Sequence, residues 1–146
     1  MKRFNLVLFI AVIFIFSACQ KKEKTIYDFK TDFVGDNSKV SQIINMQAYP
    51  KNFQTSEIKI LSEKEPYGLK VFCKNYKNLE KKDLFKNVAT TLALIKNLDN
   101  LYYVDENERE IFTYNRKEVE ENLKKENTSL EKISESRENL ENFINN

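Results

Sequence analysis

Beyond an apolar run near its start, the chain switches repeatedly between helical and strand spacing of its hydrophobic residues. Tyr27 to Val34 leads to Gly35, a turn position, and Asp36 or Asn37 is placed to cap a short helix carrying Val40, Ile43, Ile44 and Met46, which Pro50 closes. Glu57 to Ser62 and Leu69 to Cys73 are β-prone, and Glu65-Pro66-Tyr67-Gly68 between them favours a type I turn, giving a first hairpin. Across Lys81 to Asn97, Leu84, Phe85, Val88, Ala89, Leu92 and Ile95 fall on one side of a helix, with Leu84, Val88 and Leu92 as core positions. Leu101 to Val104 and Ile111 to Tyr114 predict a second hairpin around Asp105-Glu106-Asn107-Glu108. Asn115 with Glu118 opens a last helix, whose face runs through Val119, Leu123, Leu130, Ile133, Leu140 and Ile144. Thr128 followed by Glu131 is a second capping signature inside that helix and marks a potential break near Asn127.

The predicted order is α-ββ-α-ββ-α, an α+β fold with an antiparallel four-stranded sheet built from two hairpins and packed by helices. Residues 27–146 form one domain ending in a long C-terminal helix. In the second hairpin Leu101 and Tyr103 point to one side of the sheet, Tyr102 and Val104 to the other, so both sides are apolar. Either the last helix covers the second side, or that side is an interaction surface; Tyr102 and Tyr103 are therefore candidate partner-binding residues.

The run Leu6 to Phe16 follows Lys2 and Arg3 and ends before Gln20, Lys21 and Lys22. A membrane-spanning helix needs about 18 to 20 apolar residues, so the run reads as a secretion signal over residues 1–18. Its end, Phe16-Ser17-Ala18-Cys19, resembles the bacterial lipobox in Ser17, Ala18 and Cys19 and departs from it in the aromatic Phe16. The expected product begins at a diacylglyceryl Cys19, with residues 19–26 as lipidated cysteine and tether, and sits on the extracytoplasmic face of the cell membrane. Acyl chains contribute about 0.8 kcal/mol per buried methylene, so two or three of them hold a protein on a bilayer. The alternatives are a cleaved soluble protein or an uncleaved anchor.

Composition narrows the chemistry. Among 146 residues there is no His and no Trp, and glycine occurs only at Gly35 and Gly68. Ser-His-Asp and Cys-His pairs, His-ligated zinc, P-loops and dinucleotide-binding glycine motifs are all excluded. The expectation is no enzyme, no cofactor and no metal. Beyond residue 18 the chain has equal numbers of acidic and basic side chains, which gives no reason to expect nucleic acid. The charge is uneven: 15 basic and 9 acidic residues from Lys21 to Asn97, against 7 and 13 from Leu98 onward. That division favours Lys21, Lys22, Lys24 and Lys30 lying nearest an anionic membrane, with an ordinary solvated surface as the plainer alternative.

Asp36, Asn37, Ser38 and Lys39 are the candidate ligand site: a helix N-terminus presents free amides and Lys39 adds a positive charge, although a simple cap needs the same residues. Asp105, Glu106, Glu108 and Glu110 crowd carboxylates at one hairpin tip, but without the glycine and spacing of a calcium loop, so a solvated tip is the better reading. Cys73 has no partner once Cys19 is acylated; following Val71 and Phe72 in a strand it reads as a buried, inert thiol, with neighbouring Lys74 the only argument for reactivity.

Phe33-Val34-Gly35-Asp36-Asn37-Ser38-Lys39-Val40, with Asn87-Val88-Ala89 and Leu94-Ile95-Lys96-Asn97-Leu98-Asp99 before Tyr102-Tyr103-Val104, resembles DUF4825 over roughly Thr25 to Val119. The resemblance implies a domain of unknown function found in Gram-positive lipoproteins and beside membrane-bound sensor or anti-sigma modules, and it brings no catalytic residue. The expected function is a protein- or peptide-binding regulatory module at the cell surface, with a membrane or envelope protein as partner. A carboxylate-dependent envelope hydrolase and a passive spacer or surface antigen are the alternatives.

Overall fold

A computed structural model describes residues 23–146; the signal segment, Cys19 and the first tether residues lie outside the described residues. In chain order it has a 3-10 turn Ile26–Phe29, α1 Asn37–Asn45, β1 Gln54–Leu61, β2 Gly68–Lys74, a 3-10 turn Lys81–Leu84, α2 Phe85–Leu94, β3 Asn100–Val104, β4 Glu110–Asn115, α3 Arg116–Lys125, α4 Leu130–Ser134 and α5 Arg137–Asn145. The α+β class and both hairpins are as the sequence predicts. No helix among the described residues is long and apolar enough to cross a membrane.

The strands form one sheet in the order β1-β2-β3-β4. The two hairpins are antiparallel, but β2 and β3 run parallel, with Leu69 opposite Leu101 and Val71 opposite Tyr103. The sheet is thus mixed, which corrects the expectation of a wholly antiparallel one. The cause is α2: a helix between two strands carries the chain back to the end from which it started, so the next strand enters parallel.

The single long C-terminal helix is also corrected, to three helices. After α3 the chain turns at Asn127, with φ 58°. Its N–H donates to the Lys124 carbonyl at 3.1 Å and the Thr128 N–H to the Leu123 carbonyl at 3.0 Å, a Schellman stop with Asn in the left-handed position. Ser129 then caps α4 by accepting from the Lys132 N–H, and Ser136 caps α5 by accepting from the Asn139 N–H, both at 3.1 Å. The break falls where the sequence marks one, with the cap one residue beyond Thr128.

These helices explain why α2 is buried on every side from Asn87 to Leu94 rather than along one stripe. Below it lies the sheet, and α4 and α5 pack on top. Leu84, Val88 and Leu92 are fully buried, as their spacing requires. The polar residues of α2 are satisfied locally: Thr91 donates to the Asn87 carbonyl at 2.9 Å, Asn87 to the Ala48 carbonyl at 2.9 Å, and Gln47 to the Thr91 hydroxyl at 2.8 Å. Where α2 ends, the Arg116 guanidinium donates to the carbonyls of Leu92, Ile95 and Leu98 at 2.7–2.8 Å, occupying acceptors that a helix C-terminus leaves open. The amino-terminal segment is fastened to the same end, since the Thr31 N–H donates to the Leu94 carbonyl and the Lys96 N–H returns to Thr31.

Candidate functional site

Among the described residues the helices share one core with one face of the sheet. Leu69, Val71, Cys73, Leu101, Tyr103 and Tyr114 project into that core and are buried. Strand alternation sends Lys59, Leu61, Lys70, Phe72, Tyr102 and Val104 to the opposite face. Leu61, Phe72 and Tyr102, with Ile111 of β4, are half-buried, stand outside the core cluster and form an apolar row beside the fully buried Val104, on a face that no helix among the described residues covers. Gly68 makes the row compact: a Cβ there would meet Tyr102 Cε2 at 3.1 Å and Leu61 Cδ1 at 3.2 Å, so the tyrosine ring lies over the glycine beside the leucine. Lys59 and Lys70 are opposite each other on β1 and β2. Glu108 bridges them at 2.9 and 2.7 Å, and the hydrogen bonds from Lys70 and then Lys59 hold its carboxyl down at about 2.

The two candidate tyrosines therefore part company. Tyr102 is half-buried on the bare face, whereas Tyr103 is fully buried, edge-on to Phe53 and Tyr114 with ring centroids 5.6 and 6.3 Å away. Tyr103 is thus placed in the core and not on a surface where a partner can reach it. The hydroxyls of Tyr49 and Tyr103 are buried and lack a partner in hydrogen-bond geometry, yet lie close enough to influence each other's ionisation; burial pushes both well above the usual tyrosine value. Cys73 belongs to the same cluster, and burial first, then the Asp105 charge, pushes its thiol up to about 11. It is a protonated, poorly nucleophilic thiol at neutral pH. Lys74, its neighbour in sequence, is exposed and does not reverse that effect.

At the helix N-terminus Asp36 accepts from the Lys39 N–H at 3.2 Å and its other oxygen lies 3.6 Å from Lys39 Nζ. Asn37 accepts from the Ser41 hydroxyl at 3.4 Å. Asp36, Asn37, Ser38 and Lys39 are brought together, but as a cap in which the lysine charge faces a carboxylate of its own helix; beside them Phe33 is 67% exposed.

The hairpin-tip carboxylates diverge. Asp105 turns inward to Arg109, Glu108 crosses to the lysines, and Glu110 accepts from Thr113 at 3.0 Å. Among the described residues no group of three or more acidic or cysteine side chains converges as a metal site.

A cleft of about 810 Å³ opens where β2 and β3 end together. Asn52, Gln54, Cys73, Lys74, Asn75, Tyr76, Lys77, Asn78, Asp105, Glu106, Asn107 and Arg109 line it. Asp105 is nearly buried; its Oδ1 accepts from the backbone N–H of Asn107 and Arg109 at 2.9 and 3.0 Å, and its Oδ2 accepts from Arg109 Nε at 2.7 Å. Burial works to raise the Asp105 pKa, but these bonds outweigh it and the carboxyl is held below its ordinary value. The sequence pattern places Asp105 on a solvated tip and gives no sign of this cleft; the structure instead turns Asp105 inward. Arg109 four residues later was the available signal of a closed turn.

Fold and surfaces together define a small α+β domain with a mixed sheet, helices on one face and an open cleft at the strand ends. Residues 26–119 match the family model DUF4825, a domain of unknown function, and the chain belongs to that family. No curated protein and no solved structure matches it.

Proposed function

We propose that the chain is a membrane-anchored extracytoplasmic lipoprotein of a Gram-positive type, held by a diacylglyceryl Cys19, and that its domain is a non-catalytic module binding an envelope or membrane protein through the bare face of the sheet. The observation that carries this reading is the half-buried apolar row Leu61, Phe72, Tyr102 and Ile111, which no helix among the described residues covers, flanked by Lys59 and Lys70. A contiguous apolar row left partly open to solvent, without a covering layer, is the kind of surface that marks an interaction site. The lysines give the partner its chemistry: an apolar ridge bordered by carboxylates that compete with Glu108. Gln20 to Lys24, at roughly 3.3 Å per residue, allows the domain to rise only some 15 to 20 Å from the bilayer, which limits partners to proteins at the membrane surface.

The test is in-cell photocrosslinking from position 102 in the anchored protein, with position 88 as a buried control. A reproducible membrane or envelope protein captured from 102 and lost in the Phe72→Ser variant supports the module. Absence of any partner across growth conditions moves the chain to the spacer reading, and an unacylated mature N-terminus beyond Cys19 by mass spectrometry removes the anchor.

A further inference from the structure

The cleft at the ends of β2 and β3 is separate from the sheet face and stands whether or not that face binds a protein. Paired parallel strands open a crevice at their carboxyl ends because the chain leaves each in a different direction. Here β2 departs through Asn75, with φ 61°, and β3 enters the tight turn to β4. In that crevice Arg109 is fixed before any ligand arrives. Nearly buried Asp105 takes Nε at 2.7 Å and Nη2 at 2.6 Å, while the side chain as a whole remains 73% exposed. One edge of the fork is thus occupied, and the guanidinium lines the cleft beside Tyr76, whose hydroxyl is near enough to act on it.

The remaining lining divides into charge and amide. Asp105 is spent on Arg109, so Lys74 and Lys77 stand against Glu106 alone, and neither lysine makes an ion pair among the described residues. The side-chain amides of Gln54, Asn78 and Asn107 likewise make no hydrogen bond among the described residues. Each offers both a donor and an acceptor, the pair of functions that a peptide group presents. A guanidinium fork held in place loses less freedom on binding a carboxylate than a mobile one, and matches its planar geometry in a way an ammonium does not.

From this arrangement we propose that the cleft binds a carboxylate-bearing peptide, with Arg109 gripping the carboxylate, Lys74 and Lys77 adding attraction, and the open amides reading the peptide backbone. The carboxylate has two sources in a peptide, an acidic side chain or the free C-terminus.

The test uses the full chain in detergent micelles and fluorescence anisotropy with a fluorescein-labelled peptide, Gly-Asn-Glu-Gly-Asp-Glu. It is compared with its C-terminal amide and with a form in which Asn and Gln replace the acids. Saturable binding that weakens about tenfold or more when carboxylates are removed is expected; loss with amidation alone assigns the C-terminus, and loss with side-chain neutralisation alone assigns the acidic side chains. Arg109→Lys is expected to weaken binding about tenfold with an unchanged melting temperature, since it keeps the charge and loses the fork. Lys77→Gln is expected to weaken it two- to threefold. Equal binding of all three peptides, no saturation up to millimolar peptide, or wild-type affinity in Arg109→Lys overturns the proposal. Should Arg109→Lys lower the melting temperature, Asn78→Ala decides: weakened binding at unchanged stability supports the site, and unchanged binding overturns it.

Discussion

The two faces of the sheet carry comparable apolar side chains and meet opposite fates. On one face, Leu101, Tyr103 and Tyr114 lie beneath α2, which is itself roofed by α4 and α5. On the other, Leu61, Phe72 and Tyr102 stay half-buried, with Leu61 and Tyr102 lying over Gly68, and no helix among the described residues closes over them. What separates them is not hydrophobicity but where the connections run. The crossover helix and the C-terminal helices are all on one side, so the same alternation that builds a core on one face leaves a surface on the other. The family match ends at Val119, so α4 and α5 lie beyond it and still contribute Leu130, Ile133 and Leu140 to the core.

The largest effect should come from breaking the covered side. Val88 is fully buried in α2 with apolar neighbours, and Val88→Asp should prevent folding, because an unpaired carboxylate there costs several kcal/mol against a total stability of about 5 to 15. Circular dichroism and a thermal melt decide it; a cooperative transition near that of the parent would mean that α2 is not the middle layer.

Next comes the contrast between adjacent tyrosines. Tyr103→Ser empties a buried site between Phe53 and Tyr114 and should cost about 3 to 5 kcal/mol, whereas Tyr102→Ser should cost about 1. Urea denaturation of the two variants measures the difference between the faces directly. Equal losses would mean that the second face is as tightly packed as the first.

Much of this organisation is legible in the residues alone, for identifiable reasons. The strands announce themselves by alternation, and α1 and α3 by their caps: Asp36 and Asn115 cap where their side chains predict. The central helix is recognisable by spacing, but its burial on all sides depends on α4 and α5 folding back, a tertiary event that no local pattern encodes. The parallel pairing has a signature in the strand-helix-strand order β2-α2-β3, but two hairpins flanking a helix are equally compatible with an antiparallel sheet, so the local pattern does not choose between them. Of the candidate site residues, Tyr102 is on the bare face and Tyr103 in the core, because alternation assigns opposite sides without saying which side is covered. The cleft was hidden most deeply: Asn75, Asn78 and Arg109 come from separate turns, and only the parallel register brings those turns together.

A smaller effect is expected from Gly68→Ala. The new Cβ would sit 3.1 Å from Tyr102 Cε2 and 3.2 Å from Leu61 Cδ1, closer than comfortable contact. On a bare face these side-chain ends can move outward by a few tenths of an ångström, and alanine restricts the unfolded chain in partial compensation, so the net change should stay within about 1 kcal/mol. A thermal melt showing a loss nearer the upper end of overpacking penalties, about 3 kcal/mol, would reveal a face locked in place rather than open.

The smallest expected effect concerns how the bare face is held together. Lys59 and Lys70 oppose each other across β1 and β2, a like-charge pairing that Glu108 relieves by accepting from both. With its carboxyl at about 2, first through Lys70 and then through Lys59, Glu108 binds its proton less readily in the folded chain than in the unfolded one. Its contribution is therefore fully present above the ordinary glutamate value and is lost as pH falls from there through about 2. Glu108→Gln removes the titration, so the stability difference between parent and variant should be constant from pH 7 to about 5 and shrink toward the acid end. Chemical denaturation at a series of pH values gives that difference with the other carboxylates cancelling. Because both the glutamate and Lys59 are substantially exposed, 1 M salt should reduce it further. A difference independent of pH and salt would show that Glu108 acts on this face through packing, and that the two lysines are free to meet a partner without displacing it.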